Sequence, residues 1–550
     1  MTWHFGAIWE AIADAQPDAP ALVCGSVRRS WRAFDHRAAR IAGALEAAGL
    51  ARGFRAGLYA SNCNEYSEAQ FGIFKAGGGP INVNYRYSEA ELVYLLENAE
   101  CEALFFDARF APRVAAILGE LPRLKFLAAI DDGSGGALEG ASDLEALIAS
   151  HAPAPRRSYD EDDVYMFYTG GTTGMPKGVM MRQGDFSRGI TAAFATGVRG
   201  LPAPESLEGL AEIVRGLAER GEAPIALPAC PLMHGTGAWG GAFGPHAAGG
   251  VVVTLRGEHF DPAGLWRAAA AERVSDLVIV GDAFAKPMLA ALRSMHAAGE
   301  APDLRPLKRI LSSGVMFSRE VKEGLLELLD VTIVDVMGST EGGMGSSIVS
   351  RANPPGETAR FLPSPGVKVF NENDEEVKPG SDEIGMVASA GASQLGYFKD
   401  EAKTARTFRT IGGVRYSFPG DFGKVAADGS LILLGRGSVC INTGGEKVFP
   451  EEVEEALKAH PSVFDCLVVG VPDPRFGERV TAVLSLRDGQ GLDEAALFEH
   501  ARRRVAGYKL PRRLVVVDRV QRAPNGKADY KWAKAAALEA EAAEGAAAAS

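Results

Sequence analysis

No Cys-x-x-Cys pair occurs among the six cysteines (Cys24, Cys63, Cys101, Cys230, Cys440 and Cys466), which are scattered along 550 residues. That pattern suggests neither a zinc knuckle nor a disulfide framework, and it fits a reducing, cytoplasmic compartment. No apolar run approaches the roughly 20 residues that a membrane-spanning helix needs. The N-terminal stretch sets Glu10 and Asp14 among Ile8, Trp9 and Ile12 at helical spacing, unlike the unbroken apolar core of a signal peptide. Positive charge is in deficit too: 58 Lys+Arg against 70 Asp+Glu leave a net −12, which argues against nucleic acid and anionic membrane surfaces as partners. No fixed solenoid period is visible. With 47% hydrophobic and 23% charged residues, disordered, collagen-like and coiled-coil classes are excluded, and the length calls for at least two domains.

What is present is alternation. Short β-branched or apolar runs at 55–60, 80–84, 103–106, 276–280, 309–311 and 331–336 are separated by helical patterns such as 64–75 and 88–97. Strand and helix alternating at this spacing predict an α/β fold, a large N-terminal domain of α/β layers with mostly parallel sheets. Beyond the turn Gly435-Arg436-Gly437-Ser438 the pattern changes to a small α+β unit: a helix opened by Pro450, a strand over 464–471 and a helix over 493–505. The expected division is 1–435, a linker at 436–438, a small domain at 439–534 and an Ala/Glu-rich tail at 535–550, frayed or disordered.

Glycine is abundant, at 65 residues, and its densest cluster is Tyr168-Thr169-Gly170-Gly171-Thr172-Thr173-Gly174-Met175-Pro176-Lys177. Backbone N–H groups freed by glycine, threonine hydroxyls and a lysine suit a polyphosphate, although the spacing is not the G-x-x-x-x-G-K-S/T of a P-loop. An ordinary Gly/Thr turn is the alternative.

Together with five further segments, this loop resembles the adenylate-forming superfamily of acyl-CoA synthetases, luciferases and peptide-synthetase adenylation domains. The others are Pro231-Leu232-Met233-His234, Gly338-Ser339-Thr340-Glu341, Gly420-Asp421, the Gly435-Arg436 hinge with Gly444-Gly445-Glu446, and Pro524-Asn525-Gly526-Lys527. The resemblance implies the adenylate-forming enzyme fold with a mobile C-terminal domain, and a two-step reaction. A carboxylate attacks the α-phosphate of ATP to give an acyl-adenylate, and coenzyme A then displaces AMP. By the same resemblance Thr169, Gly170, Gly171, Thr172, Thr173 and Lys177 would hold the β- and γ-phosphates, and Thr340 would touch the α-phosphate. Glu341 would ligate Mg²⁺. Gly314, Asp335, Gly338 and Ser339 would lie against the nucleotide, Asp421 would take the ribose hydroxyls and Arg436 would assist. Lys527 would offset charge at the α-phosphate. His234 would gate the meeting point of acyl group, adenylate and thiol. Gly437 or Ser438 would be the pivot, and Gly444, Gly445 and Glu446 would move toward the pantetheine route. Outside that context, Glu341 reads as a solvated or helix-start charge, Lys527 as a surface charge, and His234 as a hydrogen-bonded structural residue.

Amino-acid-activating relatives carry an Asp just after the His segment. Here the segment runs His234-Gly235-Thr236-Gly237-Ala238-Trp239-Gly240, with no carboxylate, so an uncharged acyl group is expected. Small residues here and at Gly281-Asp282-Ala283-Phe284 would leave room for a wide apolar chamber including His234, Trp239, Gly240, Asp282 and Phe284, although core packing explains Trp239 and Phe243 equally well. The Gly-Gly pair, the hinge and an extra helical segment at 203–220 look most like bacterial synthetases for steroid side-chain carboxylates or medium to long fatty acids, with the identity of the acid open. An acyl-AMP ligase serving a carrier protein, a luciferase-like oxidase and a non-catalytic nucleotide-binding module are the competing functions. The group Arg502, Arg503, Arg504, Lys509, Arg512 and Arg513 would steer CoA phosphates or merely solvate a helix face. Nothing specifies oligomeric state, a homodimer included.

Overall fold

Ser88 starts the helix Glu89–Asn98 reciprocally: Glu91 donates its N–H to the Ser88 hydroxyl at 3.4 Å and returns a carboxylate to the Ser88 N–H at 2.9 Å. Such local signals place helices between the strands Arg55–Tyr59, Gly79–Asn82, Cys101–Asp107 and Phe126–Ile130, which with Ser142–Asp143 form a five-stranded, all-parallel sheet. The computed structural model describes residues 2–171, 174–257, 259–391, 393–443, 446–473, 477–522 and 526–549.

Part of a larger sheet is built the same way. Pro20–Cys24, Val251–Thr254, Ile225–Pro228, Asp276–Ile279, Arg309–Ser313 and Thr332–Ser339 lie parallel in that order. There the expected parallel pattern ends. Thr332–Ser339 turns back directly into Gly342–Val349, with Ser339 opposite Gly342, and every later pairing in this sheet, through Asp421–Val425 and Leu431–Arg436, is antiparallel. A parallel step needs a crossover of about a dozen residues, and the turn through Thr340 and Glu341 is too short to supply one. A third, antiparallel sheet joins Gln394–Tyr397 to Gly174–Arg182 and Val164–Gly171.

Residues beyond Val439 form their own sheet, in which Val463–Asp473, Gly477–Leu486 and Arg513–Val516 carry most of the pairing. The expected helices appear as Pro450–Lys458 and Glu494–Arg502, the second capped by Asp493, which accepts from the Ala496 N–H at 3.0 Å. Of the segment 535–550, expected to fray, residues 535–549 are instead part of the helix Tyr530–Ala549. Alanine favours helix, and Ala533 and Ala537, one turn apart, are buried against Leu467, Val469 and Val483. Arg479 adds an ion pair to Glu541 at 2.7 Å. Among the described residues no helix is long and apolar enough to cross a membrane.

The core beneath the site is aromatic: Trp9, Phe34, Phe71, Phe74 and Phe243 are buried together with His246. Phe243, with its ring 4.3 Å from that of Phe5, is core rather than chamber.

Candidate active site

Two hairpin ends and the edge of the small domain converge on one cavity of about 1890 Å³, larger than the roughly 300–1,000 Å³ of an ordinary ligand pocket. Its polar end is lined by Thr169, His234, Thr340, Glu341, Asp421, Arg436 and Lys527. Residues that the sequence scatters over hundreds of positions are thus brought together.

The Gly/Thr loop is the end of a β-hairpin in which Gly171 faces Gly174 and Thr169 faces Lys177. Thr172 and Thr173 lie outside the described residues. Lys177 does not line the cavity; its ammonium is ion-paired with Asp400 on the neighbouring segment. Asn82 fixes the hairpin's base: its side chain accepts from the Tyr168 N–H at 2.7 Å and donates at 2.8 Å to the carbonyls of both Tyr168 and Met233. Asn62 likewise donates to the Cys230 carbonyl at 3.0 Å and accepts from the Leu232 N–H at 2.8 Å. Two asparagines, one ending the strand Gly79–Asn82 and one in the connection after Arg55–Tyr59, therefore hold the loop that presents His234. Burial, reinforced by the positive charge of Lys527, pulls the His234 imidazole down to about 3, so the ring is neutral near pH 7, and its Nε2 is buried without a hydrogen-bond partner.

Thr340 and Glu341 form the turn between Thr332–Ser339 and Gly342–Val349, where Ser339 Oγ accepts from the Glu341 N–H at 3.2 Å. Gln394 donates to the Thr340 carbonyl at 3.1 Å, and the Tyr397 hydroxyl donates to the Glu341 carboxylate. Gly338 and Ser339 border the cavity beside Gly314, whose φ of +89° suits glycine. Asp335 lines the cavity but turns its buried carboxylate to Lys322 at 2.7 Å, so the side chain anchors the strand and only backbone is left to face a nucleotide base.

Asp421 and Arg436 are opposite each other on paired strands, 3.3 Å apart. Asp421 Oδ2 is buried without a partner, an acceptor suited to a sugar hydroxyl. Lys527 comes from the small domain into the same field: burial and Arg436 lower its pKa, while Glu341 and Asp421 oppose the shift. Gly437 and Ser438 lie in the single turn Gly437–Val439, and a Cβ on Gly437 would come within 2.5 Å of the Phe422 ring. Gly444 and Gly445 lie outside the described residues; Glu446 is exposed on the strand Glu446–Val448 and does not line the cavity.

The apolar end is walled by Phe186, Ile190, Phe194, Trp239, Phe260, Phe284 and Leu311. Trp239 packs between Phe167 and Phe186, with centroids 4.9 Å and 5.1 Å away. Gly235 and Gly240 of this segment line the chamber, and its glycines have a second effect. They let the π-helix Thr236–Phe243 press onto the strands: a Cβ on Gly240 would lie 2.6 Å from Leu311 Cδ2, and one on Gly241 2.7 Å from Pro228. A second π-helical turn, Phe194–Val198, also borders the chamber. Asp282 borders the chamber, but its carboxylate is held by the Ser318 N–H and hydroxyl at 2.9 Å and 3.0 Å.

Asn62, Asn82, Gln394, Tyr397 and Lys403 were not found from the sequence. Asn82 left a faint signal, a polar residue inside the apolar run 80–84.

The model of the AMP-binding enzyme family matches residues 9–397, and that of the AMP-binding enzyme C-terminal domain matches 452–527. A medium/long-chain-fatty-acid–CoA/3-oxocholest-4-en-26-oate–CoA ligase of Mycolicibacterium smegmatis is 42% identical over 97% of this chain and 96% of its own length. A 3-oxocholest-4-en-26-oate–CoA ligase of Rhodococcus rhodochrous is 39% identical over 97% and 96%. Among solved structures, an anthranilate CoA ligase in complex with anthranoyl-AMP superposes with a TM-score of 0.83 at 24% identity, covering 98% of each chain.

Proposed function

The chain belongs to the AMP-binding enzyme family, and on that premise we propose that the cavity activates a bulky hydrophobic carboxylic acid with ATP and then transfers the acyl group to coenzyme A. The activity is that of an ATP-dependent acyl-CoA synthetase: acid, ATP and CoA give acyl-CoA, AMP and diphosphate. One observation carries the reading. Lys527 of the small domain lines the same cavity as Thr340, Glu341, Asp421 and Arg436 of the large one, and that cavity continues into an apolar chamber.

The acid's carboxylate would lie between the neutral ring of His234 and the ammonium of Lys527. Asp421 and Arg436 orient the ribose, and the turn at Thr340 faces the α-phosphate, so attack on phosphorus is a matter of alignment and charge compensation. Glu341, an oxygen donor at the cavity wall, would hold Mg²⁺, which supplies charge neutralisation to the phosphates when bound. Thr169, Gly170 and Gly171 present the hairpin end to the outer phosphates. For the second step the small domain, 439–534, would turn relative to 1–435 about 436–438, withdrawing Lys527 and bringing the strand of Glu446, with Gly444 and Gly445, toward the thiol route.

The acid is a medium or long fatty acid or a steroid side-chain carboxylate, the classes named for the curated relatives. The chamber supports this, because its walls are apolar and its bordering carboxylate, Asp282, is already engaged. The scattered cysteines, with no Cys-x-x-Cys pair, suit a cytoplasmic location. Incubation with ATP, CoA and a panel of fatty, steroid and aromatic acids, with thioesters detected by mass, tests the proposal. Activity confined to short or aromatic acids would overturn the substrate class, and transfer to a carrier protein with no turnover of free CoA would overturn the acceptor.

A further inference from the structure

Lys177 was the cation expected at the outer phosphates, yet its ammonium is closed onto Asp400 and stands outside the cavity lining. A different lysine occupies the corresponding wall. Lys403 lies in the first turn of the helix Glu401–Thr407, which Asp400 caps by accepting the Lys403 N–H at 2.9 Å. Asp400 thus ties the hairpin, through Lys177, to the first turn of the helix that carries Lys403. The Lys403 side chain is half-buried and lines the cavity with Thr340, Glu341 and Tyr397. Its ammonium sits 4.1 Å from the centroid of the Tyr397 ring, and the hydroxyl of that ring donates to Glu341. Among the described residues the ammonium is in no ion pair; an aromatic face steadies it while leaving its N–H donors available.

We propose that Lys403 is the side chain that grips the β- and γ-phosphates of ATP and the diphosphate leaving group, while Lys177 serves to position it through Asp400. This rests on the acyl-CoA synthetase reading. When the carboxylate oxygen bonds to the α-phosphorus, the bond from that phosphorus to the bridging oxygen breaks, and its electron pair leaves with the diphosphate. No proton moves, and the gained negative charge lies on the leaving group. An ammonium beside the Glu341 turn meets that charge where it develops.

The test uses the full chain as Lys403→Met and Lys403→Arg. For Lys403→Met, the KM for ATP in adenylate formation and for diphosphate in the reverse exchange should each rise at least about tenfold. Lys403→Arg should recover most of that loss. Thioester formation from synthetic acyl-adenylate and CoA, and the affinity for AMP, should stay within about twofold of the parent, which also shows that the variants fold. The assignment is overturned if both KM values in Lys403→Met stay within about twofold of the parent, if Lys403→Arg is as impaired as Lys403→Met, or if the acyl-adenylate half-reaction falls equally. Failure of the parent itself to exchange diphosphate with any acid is a separate result, one that would sink the functional reading rather than this residue's part in it.

Discussion

The Tyr397 hydroxyl donates to the Glu341 carboxylate, so a residue on the small antiparallel sheet aims the acidic group at a hairpin turn of the large one. Hydrogen bonds to charged groups are worth about 1.5–3 kcal/mol. Tyr397→Phe should therefore raise the Mg²⁺ concentration needed for half-maximal diphosphate release by about tenfold, with little change in the folding transition. A Mg²⁺ titration checks this, and an unchanged midpoint would mean that Glu341 is oriented by other contacts.

Gly526 lies at φ +79° with its missing Cβ only 2.5 Å from the Ala283 side chain of the large domain. Gly526→Ala should hold the small domain off and keep Lys527 from its place, lowering the adenylation rate by roughly 100-fold. Lys527→Ala should do the same without a clash. In both variants, CoA capture of supplied acyl-adenylate should survive within about threefold. Single-turnover measurements of the two halves would show it; equal loss in both would contradict the role given to Lys527.

Gly240→Ala would force the Leu311 side chain, 2.6 Å from the new methyl, into the acyl chamber. Pockets of this type discriminate by roughly 1–3 kcal/mol per methylene-sized change. We expect kcat/KM for a steroid acid to fall about tenfold and that for an eight-carbon acid to change little. A parallel loss for both acids would place the bulky substrate elsewhere.

His246 is buried among Trp9, Trp31 and Phe34, with its Nε2 at 3.2 Å from the Ala21 carbonyl, and burial pulls its imidazole from 6.5 down to about 4. Between those values the unfolded chain binds a proton that the folded chain refuses. Its contribution is therefore intact above about pH 6.5 and is lost as pH falls toward 4. His246→Phe should reduce the stability difference between pH 7 and pH 5 by about 2 kcal/mol, measured by urea unfolding at both pH values. An unchanged difference would show that the ring titrates normally in the fold.

The parallel half of the molecule was legible because its signals are local: strand runs at 55–60 and 276–280, and capped helices such as Glu89–Asn98. The motif residues were legible as a set and converge as expected, with Thr340, Glu341, Asp421 and Lys527 on one cavity. The part played by Tyr397 was not, because it depends on the pairing of Gln394–Tyr397 with the far-off strand Gly174–Arg182, which no local pattern encodes. Lys403 was hidden for the same reason, as was the ion pair of Lys177, whose partner, Asp400, is also remote. The π-helix Thr236–Phe243 has no compositional signature, so the close packing that its glycines allow was not legible. The helix Tyr530–Ala549 was missed because low complexity conceals the two alanines that dock it.

That docked helix bears on how the ammonium of Lys527 can travel. Before it in the chain, Arg522 is clamped to Asp465 by two bonds of 2.7 Å; after it, the helix is seated on Val463–Asp473 through Ala533 and Ala537. Lys527 is thus flanked on both sides by residues fastened to the same strand. If the small domain turns about 436–438 as proposed, Lys527 would move with it as a stud on a rotor rather than as a swinging arm, and an angular error at Gly437 would carry through to the reacting phosphorus. Timing between the two half-reactions would then be set at that pivot.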